Sequence, residues 1–378
     1  MNIFTTVISG GLEQSLQILS KDAHLLVMTD GNVINLDKVQ SLISSLDNHG
    51  YHYTLISDLP AEPNNHDVER LIDVLPTDVD VVLGIGGGSV LDISKLISVL
   101  YSGSSPSVDF FNQLLAGTKP TARIPLVLIP TTAGTGAEAT PNSIIALPEK
   151  STKVGIISPL MLPDYVVLAP ELTTSMPSHI TASTGIDALC HLIECYTASV
   201  SNPVGDNYAM IGMQKFFANI EKVIESPSDL TVRLNLLWAS YYGGAAISHS
   251  GTHLVHALSY PLGGKYKIPH GLANSLLLVP VMKHIYPHCE EKLANVYRLL
   301  PQADMSLSDS DMASKLVVYL EHLVKMLGLP TTLNEIGIER EQLTELAAAA
   351  MQVTRLLNHS PVKVTEQEVL KLYQSITN

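Results

Sequence analysis

Along the first 170 residues, short runs of branched and apolar residues alternate with stretches whose apolar positions recur every three or four. Leu25–Asp30, Tyr51–Ile56, Val79–Gly84 and Pro125–Thr131 are the compact runs, and each meets a turn or a glycine-rich stretch. Between them, Leu36–Asn48 and Val90–Tyr101 carry helical spacing. This alternation predicts βαβ units and a parallel sheet. Ile144–Leu147, Lys153–Ile157 and Tyr165–Leu168 add three strand-like segments, the first two joined by a hairpin turn at Pro148–Thr152.

After Pro170 the pattern changes. Ile180–Ala198, Asp206–Ile224, Leu230–Ser248 and Met312–Leu327 are long amphipathic stretches, and strand-like alternation nearly disappears. No repeat of solenoid period is present. The expected architecture is an α/β dinucleotide-binding domain over residues 1–174, followed by an all-helical metal-binding and substrate domain over residues 175–378.

Composition narrows the function. Of 378 residues, 36 are acidic and 22 basic, a net charge of −14 that would repel nucleic-acid phosphates. Three cysteines cannot build a disulfide framework and fit a reducing, cytoplasmic setting. MNIFTTVISGGLEQSL has no basic segment leading into an apolar run, so no signal peptide is expected. No apolar stretch reaches the roughly 18–20 residues that span a bilayer. Neither nucleic acid nor membrane is therefore an expected partner. A homodimer is.

Chemistry gathers in four places. In DVVLGIGGGSVLDISK, an apolar strand runs into Gly84, Gly86, Gly87, Gly88 and Ser89 and then into a helix. Consecutive glycines let backbone N–H groups approach a phosphate at a helix N-terminus. Ser89 stands where a GxGxxG fingerprint would have its last glycine. A second loop, Ile129 to Glu138, offers the hydroxyls of Thr131, Thr132 and Thr135. Two such loops after parallel strands fit a dinucleotide at the carboxyl edge of a sheet. Asp30, ending the first strand, either holds an adenosine ribose, which favours NAD over NADP, or merely caps a turn.

Asp187 and His191 stand at i and i+4, on one helix face, with His256 and His270 further along. One carboxylate and three imidazoles suit Fe²⁺ or Zn²⁺. Cys195 is a fifth candidate, although Cys190 and Cys195 both read more simply as buried apolar residues.

GGGSVLDISK, IPTTAGTGAE, GIDALCHLIECY and HALSYPLGGKYKIPHGLAN together resemble the iron-containing (group III) alcohol dehydrogenase family, in its order and approximate spacing. The resemblance spans nearly the whole chain. It implies a dehydroquinate-synthase-like fold, a metal (iron or zinc) on Asp187, His191, His256 and His270, and NAD on Asp30, Gly86, Gly87, Gly88, Ser89, Thr131, Thr132, Thr135, Asn142 and Lys153. The family usually has a second histidine four residues after the third ligand, where this chain has Tyr260. Tyr260 either takes over acid–base work at a depressed pKa or reshapes the pocket, and the second reading is favoured. Lys265 and Lys267, on the expected loop before His270, are either solvated or receive an anionic substrate.

The expected activity is metal-dependent, NAD(H)-linked interconversion of a primary alcohol and its aldehyde. The substrate is a simple alkanol, diol or lactaldehyde-type compound, or an anionic polyhydroxy compound such as a 3-deoxy-octulosonate sugar acid or a phosphonate aldehyde. A dehydroquinate-synthase-like lyase is the competing reading, disfavoured because it typically takes Glu/His/His ligation. A non-catalytic nucleotide-binding protein would have no use for both cofactor loops and four ligand-type residues.

Overall fold

The structure is a computed structural model that describes residues 5–101, 105–150 and 152–377. Two compact units emerge: residues 1–132 with 137–175, and residues 133–136 with 176–378.

The first unit is built on β1 (Thr6–Ser9), β2 (His24–Asp30), β3 (His52–Leu59), β4 (Val81–Gly86), β5 (Leu126–Pro130), β6 (Asn142–Leu147), β7 (Thr152–Ile157) and β8 (Tyr165–Leu168). Helices α1 (Asp37–Asn48), α2 (Asn65–Ile72), α3 (Gly88–Leu100) and α4 (Val108–Leu115) connect or flank them. Six strands form a parallel sheet in the order β1-β8-β5-β4-β2-β3, while β6 and β7 pair as the expected hairpin. Alternate residues divide between the faces. Leu26, Met28, Val82 and Leu128 pack towards α3, whereas Leu25, Val27, Leu83 and Ile129 pack towards α1. Burial of both faces is what makes these strands continuous apolar runs.

Three elements differ from the sequence reading. β1, too short and half polar to register as a run, pairs along β8 in parallel. The turn expected from Gly84 begins two residues later. Gly84 lies within β4, in register with Met28 on one side and Leu128 on the other. The third is Lys265, expected on a loop but placed in the last turn of a helix.

The strand order reverses between β2 and β4, because β3 lies outside β2 and the chain then returns to β2's other side. Asp30 ends β2 and Gly86 ends β4, so both fall at the carboxyl edge of the reversal point, where open α/β sheets take their ligands.

The second unit contains α5 (Ser178–Thr197), α6 (Pro203–Glu225), α7 (Leu230–Ile247), α8 (Leu254–Tyr266), α9 (His270–Ile285), α10 (Glu290–Tyr297), α11 (Asp309–Met326), α12 (Leu343–Met351), α13 (Thr354–Leu357) and α14 (Glu366–Gln374). α5 lies at its centre, packed by α6, α7 and α9, and α8 packs on α9, α12 and α13. Among the described residues no helix is long and apolar enough to cross a membrane.

One buried charge organises the first unit. Lys95 of α3 has no exposure, pairs with Asp92 at 2.7 Å, and donates to Ala137 O at 2.8 Å and Thr140 Oγ1 at 3.0 Å. Asp92 in turn accepts from the Ile144 N–H at 3.0 Å. The pair thus ties α3 to the segment entering the hairpin. Removing one partner leaves the other charge buried and uncompensated. Lys95→Met should therefore lose on the order of 3–5 kcal/mol of unfolding free energy in chemical denaturation. The double variant with Asp92→Asn should recover part of it.

Candidate metal centre and cofactor edge

α5 places Asp187 and His191 one turn apart on a face that is fully buried. α8 brings His256 and the first residue of α9 brings His270. Gly271 makes the α9 approach possible, since a Cβ there would lie 2.4 Å from the Ser183 carbonyl of α5. The four candidate ligands meet: one ligand atom from each lies within 4.8 Å of the others. All three Nε2 atoms face Asp187 Oδ1, at 3.8 Å from His191, 3.8 Å from His256 and 3.6 Å from His270. Ligand atoms about 2.1 Å from one ion at tetrahedral angles stand roughly 3.4 Å apart, so the quartet has close to the span a divalent metal requires. The donor set, one carboxylate oxygen and three imidazole nitrogens, fits iron or zinc.

Electrostatics prepares the same quartet. Burial alone pushes the Asp187 carboxyl up, but the charges of His191, His270 and His256 and the Asn274 amide outweigh it and hold the group below the usual carboxylate range. Burial, reinforced by His191 and His270, pulls His256 well below the usual histidine range and keeps it neutral. An anionic carboxylate and neutral imidazole are the protonation states that ligate metals.

Three neighbours complete the centre, and the sequence reading missed all of them. Glu194, three residues after His191 on α5, is fully buried. One of its oxygens accepts from the Val255 N–H at 2.5 Å, and the other bonds His256 Nδ1. His256 therefore donates through Nδ1 and turns its Nε2 lone pair to the cluster, the usual orienting role of a carboxylate behind a ligand histidine. Asn274, one turn after His270 on α9, donates to Asp187 Oδ1 at 2.7 Å. The positive charge of Arg355, on α13, acts on both Tyr260 and His256. The i+3 and i+4 spacings could have flagged Glu194 and Asn274, because a buried polar residue on a ligand's own helix face needs a partner. No local signal marks Arg355.

Other expectations resolve differently. Cys195 lies outside the quartet, and burial pushes its thiol up to about 12. It is a core residue. Burial also raises Tyr260, which opposes acid–base work at a depressed pKa. Its ring centre lies 6.1 Å from that of His270, so it borders the centre. Lys265 is paired with Glu345 and exposed. Lys267, also exposed, forms the left-handed cap of α8 with a φ of 56°.

At the sheet edge, Gly87 caps α3 with Gly88 and Ser89 in its first turn, and the Ser89 hydroxyl bonds Ala61 O. Asp30 Oδ1 accepts from Asn32 N–H at 2.8 Å and Val33 N–H at 3.0 Å, so it caps the turn after β2 whatever else it does. Thr131 and Thr132 directly follow β5. Thr135 belongs with the helical unit, where the neighbouring Gly136 N–H donates to Ser240 Oγ at 3.1 Å. Asn142 opens β6, and Lys153 on β7 lies 3.5 Å from Glu62.

Comparison with known proteins agrees with this geometry. Residues 5–170 match the iron-containing alcohol dehydrogenase family, and residues 181–377 match the C-terminal part of the Fe-containing alcohol dehydrogenase family. The long-chain-alcohol dehydrogenase 1 of Geobacillus thermodenitrificans is 34% identical over 93% of this chain and 89% of its own length. A 1,3-propanediol oxidoreductase superposes with a TM-score of 0.88 at 26% identity, covering 98% of this chain and 97% of that one. The sulfoacetaldehyde reductase of Bifidobacterium kashiwanohense, solved with NAD⁺, gives 0.86 at 25% identity over 99% and 97%. The chain belongs to the iron-containing alcohol dehydrogenase family and is a metal-dependent, NAD(H)-linked oxidoreductase of alcohols and aldehydes.

Proposed function

We propose that the protein interconverts a primary alcohol and its aldehyde at a divalent metal held by Asp187, His191, His256 and His270, with NAD(H) at the carboxyl edge of the sheet. The observation that carries this is the convergence of three Nε2 atoms on one buried Asp187 oxygen. The groups bound there supply Lewis acidity at the substrate oxygen and hydride exchange at the nicotinamide.

The chain's own residues do the rest. Asp187 supplies the one negative charge that offsets a cation, and burial keeps water from competing for its oxygen. Glu194 fixes the ring of His256, and His270, more open than the other ligands, borders the side from which substrate enters. Gly86 to Ser89, Thr131 and Thr132 offer hydroxyls and the α3 N-terminus to a pyrophosphate. Asp30 is assigned to the adenosine ribose, with Thr135, Asn142 and Lys153 as further cofactor contacts. The nucleotide and metal domains are proposed to divide at 174/175. Assembly as a homodimer in the cytoplasm belongs to the same reading; the free cysteines Cys190, Cys195 and Cys289 support a reducing setting.

Substrate size and charge are the finer part. Relatives named for a long-chain alcohol and for sulfoacetaldehyde mark how widely substrates vary on this fold. An acidic substrate, the 3-deoxy-octulosonate type included, needs a cation beside the metal. Lys265 is engaged by Glu345, which leaves Lys267 as the freer of the two lysines first considered.

Elemental analysis of purified protein, with NADH formation across an alcohol panel, tests the activity. His256→Ala and His270→Ala should lose metal and turnover together. Full metal occupancy in both would remove the ligand assignment. Glu194→Gln should weaken metal affinity about 10–100-fold in a chelator competition, because it loosens His256 without removing a ligand.

Cofactor preference should follow Asp30. A carboxylate facing a 2′-phosphate costs on the order of 1–3 kcal/mol, or about 5–150-fold in favour of NAD. Asp30→Asn keeps an oxygen for the turn N–H groups while removing the charge. The NADP to NAD efficiency ratio should therefore rise in this variant, as measured by steady-state kinetics. Equal use of both cofactors by the wild type would remove the assignment.

A further inference from the structure

We infer that His253 is a positioning residue for the metal centre: it takes one of two adjacent N–H groups at the start of α8 and so confines Glu194, the carboxylate that orients His256, to the other. This inference rests on the metal site proposed for Asp187, His191, His256 and His270.

Placement comes first. His253 immediately precedes α8 as its N-cap, and His256 follows three residues later. Glu194 and Thr197 are likewise three residues apart, with Thr197 the last residue of α5. The two pairs interleave into one line. Thr197 Oγ1 lies 2.9 Å from His253 Nε2, His253 Nδ1 lies 3.1 Å from Glu194 Oε1, and Glu194 Oε2 bonds His256 Nδ1. None of the four residues is more than 3% exposed, so water does not stand in for any of these partners. Among the described residues, His253 and His256 are the side chains paired with Glu194.

Donor counting then gives each atom its task. Thr197 spends its hydroxyl proton on the Ile193 carbonyl at 2.7 Å, so its oxygen is left to accept from His253 Nε2–H. That bond turns Nδ1 to the other side, where it accepts from the Leu254 N–H at 2.6 Å. Glu194 Oε1 accepts from the next group along, the Val255 N–H, at 2.5 Å. Two acceptors can lie side by side here because the first N–H groups of a helix have no partner within it and carry its positive end. With the His253 ring gone, the buried Leu254 N–H would need another acceptor, and the carboxylate already on the neighbouring N–H is placed to supply it. Glu194 drawn along the helix end would hold the ring of His256 less firmly, and with it one ligand nitrogen.

The test is metal binding, read without turnover. Metal-stripped protein is reloaded with Zn²⁺ and titrated against a chelator, and separately with Co²⁺, whose visible absorption reports ligand geometry. His253→Ala should bind Zn²⁺ about 10-fold more weakly, the low end of what loss of an orienting partner costs, and should alter the Co²⁺ spectrum. His253→Asn, which offers an amide oxygen in place of Nδ1, should recover part of the affinity. The double variant separates this role from general loosening. Because His253 acts through Glu194, His253→Ala should cost little more in a Glu194→Gln background, whereas losses from independent sites add. Thr197→Val, close in shape, leaves Nε2 without its acceptor and should weaken Zn²⁺ binding in the same direction; it replaces His253→Ala if that variant does not fold. Unchanged Zn²⁺ affinity and Co²⁺ spectrum in the folded variant, or full additivity with Glu194→Gln, overturns the inference and leaves the metal site standing. If the wild type takes up neither ion, the proposed metal site fails and this inference with it.

Discussion

A carboxylate that is only 2% exposed, ringed by three imidazoles, is the constraint from which the helical unit takes its form. Burying a lone anion is expensive unless hydrogen bonds and opposite charge compensate it. Asp187 gains that compensation from residues on three helices, which requires α5, α8 and α9 to meet at one point. Gly271, Glu194 and Asn274 serve that meeting: the glycine permits close approach, and the other two satisfy polar groups that water cannot reach. Function and packing share one solution here. The arrangement that suits a divalent ion is also the one that makes the buried acid tolerable.

Much of this was legible in the sequence, for physical reasons that differ by element. The buried strands β2, β4 and β5 declare themselves because both faces are covered and their central positions are apolar. The helices announce themselves by period, and Asp187 with His191 by a spacing that only a helix turns into proximity. His256 and His270 were identifiable through a resemblance rather than through any local rule. β1 stayed hidden because four exposed or half-exposed residues at a sheet edge carry almost no pattern.

The unread residues share a different property. Glu194, Asn274 and Arg355 matter through what other helices bring to them, and a single sequence does not state which helices meet. Lys265 illustrates the converse. It was expected on a loop before His270, but α8 continues through it and its charge goes to Glu345. A cation whose charge acts on Tyr260 comes instead from Arg355, 95 positions further on. Distance in sequence is a poor guide around a site assembled from separate helices.

The four residues Ala133–Gly136 have a consequence for the architecture as a whole. They lie between β5 and β6 of the sheet unit yet belong to the helical one, so the chain passes between units at 132/133, 136/137 and 175/176. Gly136, at a φ of 60°, packs so tightly on α7 that a Cβ would stand 2.4 Å from Ser240 O. The two units are thus threaded rather than strung in series. A chimera that exchanges the helical unit after residue 175 would leave these four residues fitted to a surface that had been taken away, so recombination on this scaffold has to move them as a second, separate insert.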